Sequence, residues 1–179
     1  MENFKIGVFD GQELWYSRSI AVTLFAFAKD KNGNVFVLAN KRGKGTPNNQ
    51  GKWNCPCGYL DFNETTKEAA IRETFEETGV KIDKKLVHFI SFNSNPKSDG
   101  LQNVTIKYAA MLPKTIDFYE QEFSKKNNEE DEVSAIAFIS LNDLSKYNWA
   151  FNNKKLIKDN WLKMNSKKRS NMFNLTINK

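Results

Sequence analysis

The chain has 179 residues, of which 40% are hydrophobic and 13% aromatic, and it carries a formal net charge of +6. That length and composition suit one domain with a substantial core. No run of about 18 apolar residues occurs, so no helical membrane span is expected. The opening MENFKIGVFDGQ lacks a basic region followed by an apolar stretch, so no secretion signal is read and a cytoplasmic location is expected. The charge is unevenly placed. Residues 154–179 hold eight Lys or Arg and a single acidic residue, Asp159, while the remainder is close to neutral. The excess therefore reads as a basic C-terminal tail over 166–179, frayed and solvated, behind one domain over 1–165.

In chain order, FKIGVFDGQELWYSR has a turn signal at Asp10-Gly11 and reads as an edge strand or hairpin. Ser19 to Ala28 is apolar and rich in strand formers, so a buried strand is expected. DKNGN, from Asp30 to Asn34, is a hairpin turn leading to a partner strand, Val35 to Asn40. Lys41 to Gln50 is dense in Lys, Arg and Gly. It is either a solvated loop or one that presents cations and backbone N–H groups to phosphate. Leu86 to Phe92 and Val104 to Leu112 read as strands, the second ended by Pro113. Thr115 to Asn128 is loop or short helix. Val133 to Ile139 is a further strand, followed by a short turn at Asn142 to Leu144. Asn152 to Met164 places Leu156, Ile157, Trp161 and Met164 on one helical face. Trp15, Tyr16, Trp53 and Phe92 stack on a base or pack the core, the core being the favoured reading. There is no internal repeat.

The densest stretch is GYLDFNETTKEAAIRETFEETGV, Gly58 to Val80. Thr65 to Thr78 reads as a helix, capped by Asn63 or Thr65, with Glu68 completing a capping box and Gly79 ending it. Ala69, Ala70, Ile71, Phe75 and Thr78 form its small or apolar face. Glu73, Glu76 and Glu77 are spaced i, i+3, i+4, so their carboxylates share one side. Like charges this close call for cations, and hard divalent ions with oxygen ligands suit them. His88, the sole histidine, sits in an apolar run and reads as a strand residue. Cys55 and Cys57 are too few for a disulfide framework. Nucleophilic triads are accordingly disfavoured.

This stretch resembles the Nudix box, GX5EX7REUXEEXGU with U apolar. Thr74 departs from it, standing where an aliphatic residue is usual. The resemblance implies a Nudix-like α/β/α sandwich with a mixed sheet. It implies a pyrophosphatase activity: metal-dependent hydrolysis of a diphosphate bond in a nucleoside diphosphate linked to another moiety, by water attack on phosphorus. Mg²⁺, or alternatively Mn²⁺, is the implied cofactor, and a small nucleotide the implied substrate. Carried over by position, Glu73, Glu76 and Glu77 are the metal ligands, with the Cys57 carbonyl a further candidate. Cys57 stands where the family has a glycine, so the backbone angles there are a point to check. Arg72 is expected to orient the glutamates, and Glu64 to buttress the loop. The family often adds an acidic residue before the last strand. Glu129, Glu130, Asp131 and Glu132 are the candidates, with Glu132 favoured. Alternative readings are a nucleotide sensor without catalysis, and an RNA 5′-end pyrophosphohydrolase aided by the basic tail. A homodimer is compatible with each of them.

Overall fold

The computed structural model describes residues 3–97, 102–123 and 131–177, the side chains from 167 onward excepted. The N-terminal hairpin forms as expected, β1 (Phe4–Phe9) and β2 (Gln12–Tyr16) turning at Asp10-Gly11. It is a sheet of its own. The main sheet is built around β3 (Ile20–Lys29), whose neighbours are β4 (Val35–Arg42) and, in parallel, β8 (Val104–Thr115). β7 (Val87–Asn93) pairs antiparallel with β8 and forms one edge. β9 (Val133–Ser140) and the short β5 (Trp53–Asn54) both pair with β4. One parallel pairing among antiparallel ones makes the sheet mixed.

β3 shows why both faces are covered. Val22, Leu24, Ala26 and Ala28 point to one side, and Phe25 and Phe27 to the other, all of them fully buried. The first set packs with Ala69 and Ala70 of α1 (Thr66–Thr78). The second packs with Ile157 and Met164 of α3 (Asn153–Ile177). The expected α/β/α sandwich is the result. β3 and β4 stay paired only near their hairpin, from Phe27↔Val37 to Lys29↔Val35. Further back, β3 pairs with β6 (Cys57–Tyr59), while β4 pairs with β5 and β9. The sheet therefore opens where the glutamate-bearing stretch enters.

α1 begins as the sequence indicates. Thr65 is the N-cap, its Oγ1 accepts from the Glu68 amide, and the Glu68 side chain accepts from the Thr65 amide. Lys84 donates to Glu68 and is the main cause of its carboxyl being held at about 2. We expect Thr65→Ala to cost about 1 kcal/mol, seen as a fall in Tm of roughly 2–4 °C at this chain length. Gly79 ends the helix at φ 76°, with its N–H bonded to the Phe75 carbonyl. Thr74, the departure from the usual pattern, is fully buried, and its hydroxyl donates to the Ala70 carbonyl at 2.7 Å. A hydroxyl satisfied inside its own helix is tolerated where an aliphatic side chain would otherwise pack.

Two expectations need correction. β8 does not stop at Pro113 but continues to Thr115. The register with β3 shifts between Phe27↔Met111 and Lys29↔Thr115, so Pro113 lies in the irregular part of the ladder, where its missing N–H costs no paired bond. The backbone of α3 is helical over Asn153–Ile177, a span that no Gly or Pro interrupts. Trp15, Tyr16 and Phe92 are exposed, and only Trp53 joins the core, against Tyr147. Trp15 and Tyr16 lie on the separate hairpin, and Phe92 lies near the end of the edge strand β7. The short helix within Thr115 to Asn128 is α2 (Ile116–Glu120), and residues 124–130 lie outside the described ones.

Candidate active site

Arg72 is the hub of the Gly58–Val80 stretch. Its Nε and Nη2 donate to the two oxygens of Glu64, at 3.1 and 2.7 Å. Nη1 donates to Glu73 and Glu76, at 2.8 and 2.9 Å, and Nη2 also reaches the Tyr59 carbonyl at 3.0 Å. A guanidinium has five N–H donors, and these bonds occupy all of them. The carboxylates around it push the Arg72 pKa further up, Glu64 most of all, and Arg72 in turn holds Glu64 below the usual carboxylate range. Glu64 also accepts from the Asp61 amide, which closes the loop ahead of the helix. Arg72 thus bonds three glutamates at once, and Glu64 ties it to the loop ahead of the helix.

Glu73 and Glu77, one helical turn apart, are 9% and 6% exposed. Both line a cleft of about 640 Å³. Glu77 Oε2 accepts from the Cys57 amide at 3.0 Å, which fixes the preceding strand against the helix. Gly58 is required by packing. A Cβ there would lie 2.1 Å from the Glu73 carboxyl carbon. Cys57 itself is not among the residues with positive φ, so the glycine usual at that position is not needed for its backbone angles. Its thiol accepts from Asn54 Nδ2, and burial pushes its pKa up to about 12, with Glu77 adding to the effect.

Glu132 also lines the cleft, although it is 55 or more positions from the helix glutamates. The Lys41–Gln50 loop accounts for that. Gly43 and Gly45 donate to the Glu132 and Asp131 carbonyls, both at 2.6 Å, and a Cβ on Gly43 would strike the Asp131 carbonyl. These two amides are therefore occupied by protein and not open to phosphate. Arg42, Thr46, Pro47 and Asn48 are the residues of this loop that reach the cleft. Glu76 is held on the Arg72 side and is not among the cleft-lining residues. Glu129 and Glu130 lie outside the described residues. His88 is an exposed residue of β7.

The cleft holds residues that sequence reasoning missed. Asn40, Asn54 and Asn153 are nearly fully buried along it. Asn153 donates to Asn54, and Asn40 Oδ1 is the buried side-chain atom without a hydrogen-bond partner among the described residues. Phe151 and Asn152 take φ of 50° and 59°, a strained pair at the start of α3, with the Arg42 guanidinium 5.0 Å from the Phe151 ring centre. Lys107 and Lys155 add further positive charge to the lining. Asn40 and Arg42 alternate along β4, so they share a face. That period of two was the available signal for them. No comparable local signal marked Asn153, whose place depends on where α3 docks.

The chemistry of the donors fits a divalent ion, since Glu73 and Glu77 offer carboxylate oxygens from one helix face into a polar cleft. As they stand, no three acidic, histidine or cysteine side chains among the described residues are gathered as a metal cluster. Arg72 draws Glu73 and Glu76 toward itself.

A mixed sheet between helical layers, opened at a loop–helix whose glutamates are locked by one arginine, defines the protein as an α/β/α domain with a carboxylate-lined cleft. It belongs to the Nudix family: the NUDIX domain model matches residues 17–159. An RNA pyrophosphohydrolase from Gluconacetobacter diazotrophicus is 33% identical over 72 residues, 39% of this chain and 41% of that protein. Phosphatase NudJ from Escherichia coli is 47% identical over 45 residues, 25% of this chain and 28% of that protein. The matches thus span less than half the length of these relatives. Among solved structures, the NUDIX domain of Shewanella oneidensis NrtR, complexed with ADP ribose, has a TM-score of 0.62 at 20% identity. It covers 80% of this chain and 86% of that one. No described helix is long and apolar enough to cross a membrane.

Proposed function

We propose that the protein is a Mg²⁺-dependent pyrophosphohydrolase that cleaves the diphosphate of a nucleoside diphosphate linked to another group. The observation that carries this reading is the convergence of Glu73, Glu77 and Glu132 on one cleft that Arg42, Lys107 and Lys155 also line. Carboxylates from α1 and from the segment before β9 supply negative charge for a metal, and the cations complement phosphate oxygens. A cleft of about 640 Å³ is of the size that takes a small molecule.

Glu73 and Glu77 would hold the metal, with Glu132, Glu76 and the Cys57 carbonyl as further donors. A bound ion would supply Lewis-acid chemistry, offsetting phosphate charge and lowering the pKa of a water. The chain's own contribution is positioning. Arg72 fixes the carboxylates, the Cys57 amide fixes Glu77, and the loop from Lys41 to Gln50 delivers Glu132. A carboxylate not engaged by metal, on the helix or at Glu132, would take the proton of the attacking water.

Nucleotide sugars, dinucleoside polyphosphates, ADP-ribose, NADH and (d)NTPs, each offered with Mg²⁺ and followed by product release, test the reading. Turnover of at least one, abolished by a chelator, is expected. A second reading is ligand binding without cleavage, favoured by the NrtR domain's complex with ADP ribose. In that case calorimetry would show binding while no product forms. Metal alone should also raise the Tm, because it relieves repulsion among carboxylates and binds only the folded site. An unchanged Tm in millimolar Mg²⁺ or Mn²⁺ would count against a formed metal site.

A further inference from the structure

Arg18 lies far from the Gly58–Val80 stretch in sequence, just before β3, and its guanidinium is directed at backbone. Nη1 donates to the Ser94 carbonyl at 2.8 Å, Nη2 to the Asn103 carbonyl at 3.0 Å, and Nε to the Gln102 carbonyl. Ser94 follows the last residue of β7, while Gln102 and Asn103 precede the first residue of β8. One side chain therefore ties both ends of the β7–β8 connection. The acceptors are neutral carbonyls, so the position uses the planar fork of donors that only arginine offers, and not charge alone.

The ends that Arg18 holds carry one wall of the cleft. The ladder registers set Tyr59 of β6, Ala21 of β3, Thr105 of β8 and Asn93 of β7 in a single row across four strands. All of them line the cleft, as does Asn103. Ala21 is the small member, so the row dips between Tyr59 and Thr105. Asn103 Nδ2 donates to the Tyr59 hydroxyl at 3.2 Å, and the Tyr59 carbonyl accepts from Arg72. Bonds thus run from Arg18 through Asn103 and Tyr59 to the arginine that holds Glu73. The next row on the same face, Cys57, Thr23 and Lys107, begins with the residue whose amide bonds Glu77. Two residues along a strand span about 7 Å, so the Tyr59–Asn93 row lies one such step out from the row beside Glu77.

We propose that this row is a specificity shelf for the group linked to the diphosphate, that the group is an uncharged polyol such as a ribose, and that Arg18 is the positioning residue that holds the shelf in place. The proposal rests on the nucleotide reading above. The row carries no charged side chain, whereas Arg42 and Lys155 lie on the β4 and α3 side of the cleft and Lys107 lies in the inner row. Phosphates are drawn to those cations, which leaves the outer row to a neutral group. Amide and hydroxyl side chains both donate to and accept from hydroxyls. The Tyr59 ring, 56% exposed, adds an apolar surface for the carbon skeleton of a sugar. Asn93, Asn103 and Thr105 are half-buried, so they are reachable from the cleft yet fixed in place.

Calorimetry on the full chain with Mg²⁺ tests the proposal. The probes are α,β-methylene analogues, whose P–C–P bridge blocks hydrolysis: adenosine, guanosine and uridine diphosphates, each with and without a ribose on the terminal phosphate. In the wild type the added ribose should tighten binding about 10-fold, the worth of one or two hydrogen bonds. Thr105→Val removes a hydroxyl at nearly constant shape. That variant and Arg18→Ala should each cut the gain to about threefold or less, while affinity for the analogues without ribose stays within about twofold. Arg18→Lys should behave as Arg18→Ala, because an ammonium does not span the carbonyls of Ser94, Gln102 and Asn103. Equal wild-type affinity for the paired analogues overturns the shelf, and so does a gain that survives Thr105→Val. A loss shared equally by both members of a pair is what a merely structural Arg18 gives, and it overturns the positioning role. Should Arg18→Ala not fold, Thr105→Val and Arg18→Lys decide. If no analogue binds at all, the nucleotide reading itself fails and the shelf falls with it.

Discussion

Glu77→Gln is expected to lower diphosphate hydrolysis by at least about 100-fold, since the loss of even an outer-shell partner of a metal ligand costs 10–100-fold. The fold should survive. Gln keeps the length of the side chain and one oxygen, which can still accept from the Cys57 amide that now bonds Glu77 Oε2. What the substitution removes is charge. Glu77 is 6% exposed, and a buried carboxylate offers a dication far more than a neutral amide does. The Tm without metal should therefore stay level or rise, because a buried negative charge near Glu73 disappears. The rise in Tm with Mg²⁺ should shrink. Full activity in Glu77→Gln would defeat the assignment of the site. Lost activity together with a collapsed fold would instead make Glu77 a structural residue, and circular dichroism separates the two.

The sequence disclosed what is local. A capping box, a C-terminal glycine and an i, i+3, i+4 set of glutamates are all written within Gly58 to Val80, and each has its counterpart in α1. Strand identities were also legible, because β3 and β9 are largely apolar runs and β8 alternates in part. The rest depended on contacts distant in sequence. That Gly43 and Gly45 bind the 131–132 carbonyls, and so carry Glu132 to the cleft, cannot be read from either segment alone. The same holds for the Asn54–Asn153 bond, which joins residues 99 positions apart. Aromatic residues misled for a related reason. Trp15 and Tyr16 are ordinary core material by composition, but whether a hairpin packs on the body is a tertiary fact.

Arg72 tests whether the glutamates must be held as well as present. Arg72→Lys keeps the positive charge but replaces five forked donors with three on a flexible stem. An ammonium cannot span Glu64, Glu73, Glu76 and the Tyr59 carbonyl together, as the guanidinium does. We expect kcat to fall about 10–100-fold with KM little changed, the signature of a positioning residue that does not bind substrate. Stability should fall by about 2–3 kcal/mol, because hydrogen bonds to charged groups are lost and Glu73 stays buried. The pH dependence separates this from a general weakening. Arg72 depresses the Glu64 pKa below its ordinary 4.5. The stabilisation from that pair is then fully present above the unfolded value, and it drains away as pH falls through the lower folded one. The gap in Tm between wild type and Arg72→Lys should accordingly be widest near neutral pH and narrow below about pH 4.5. A lysine variant with wild-type kcat would show that charge alone suffices. A gap in Tm that stayed constant down to acid pH would show that the Arg72–Glu64 pair is not its source.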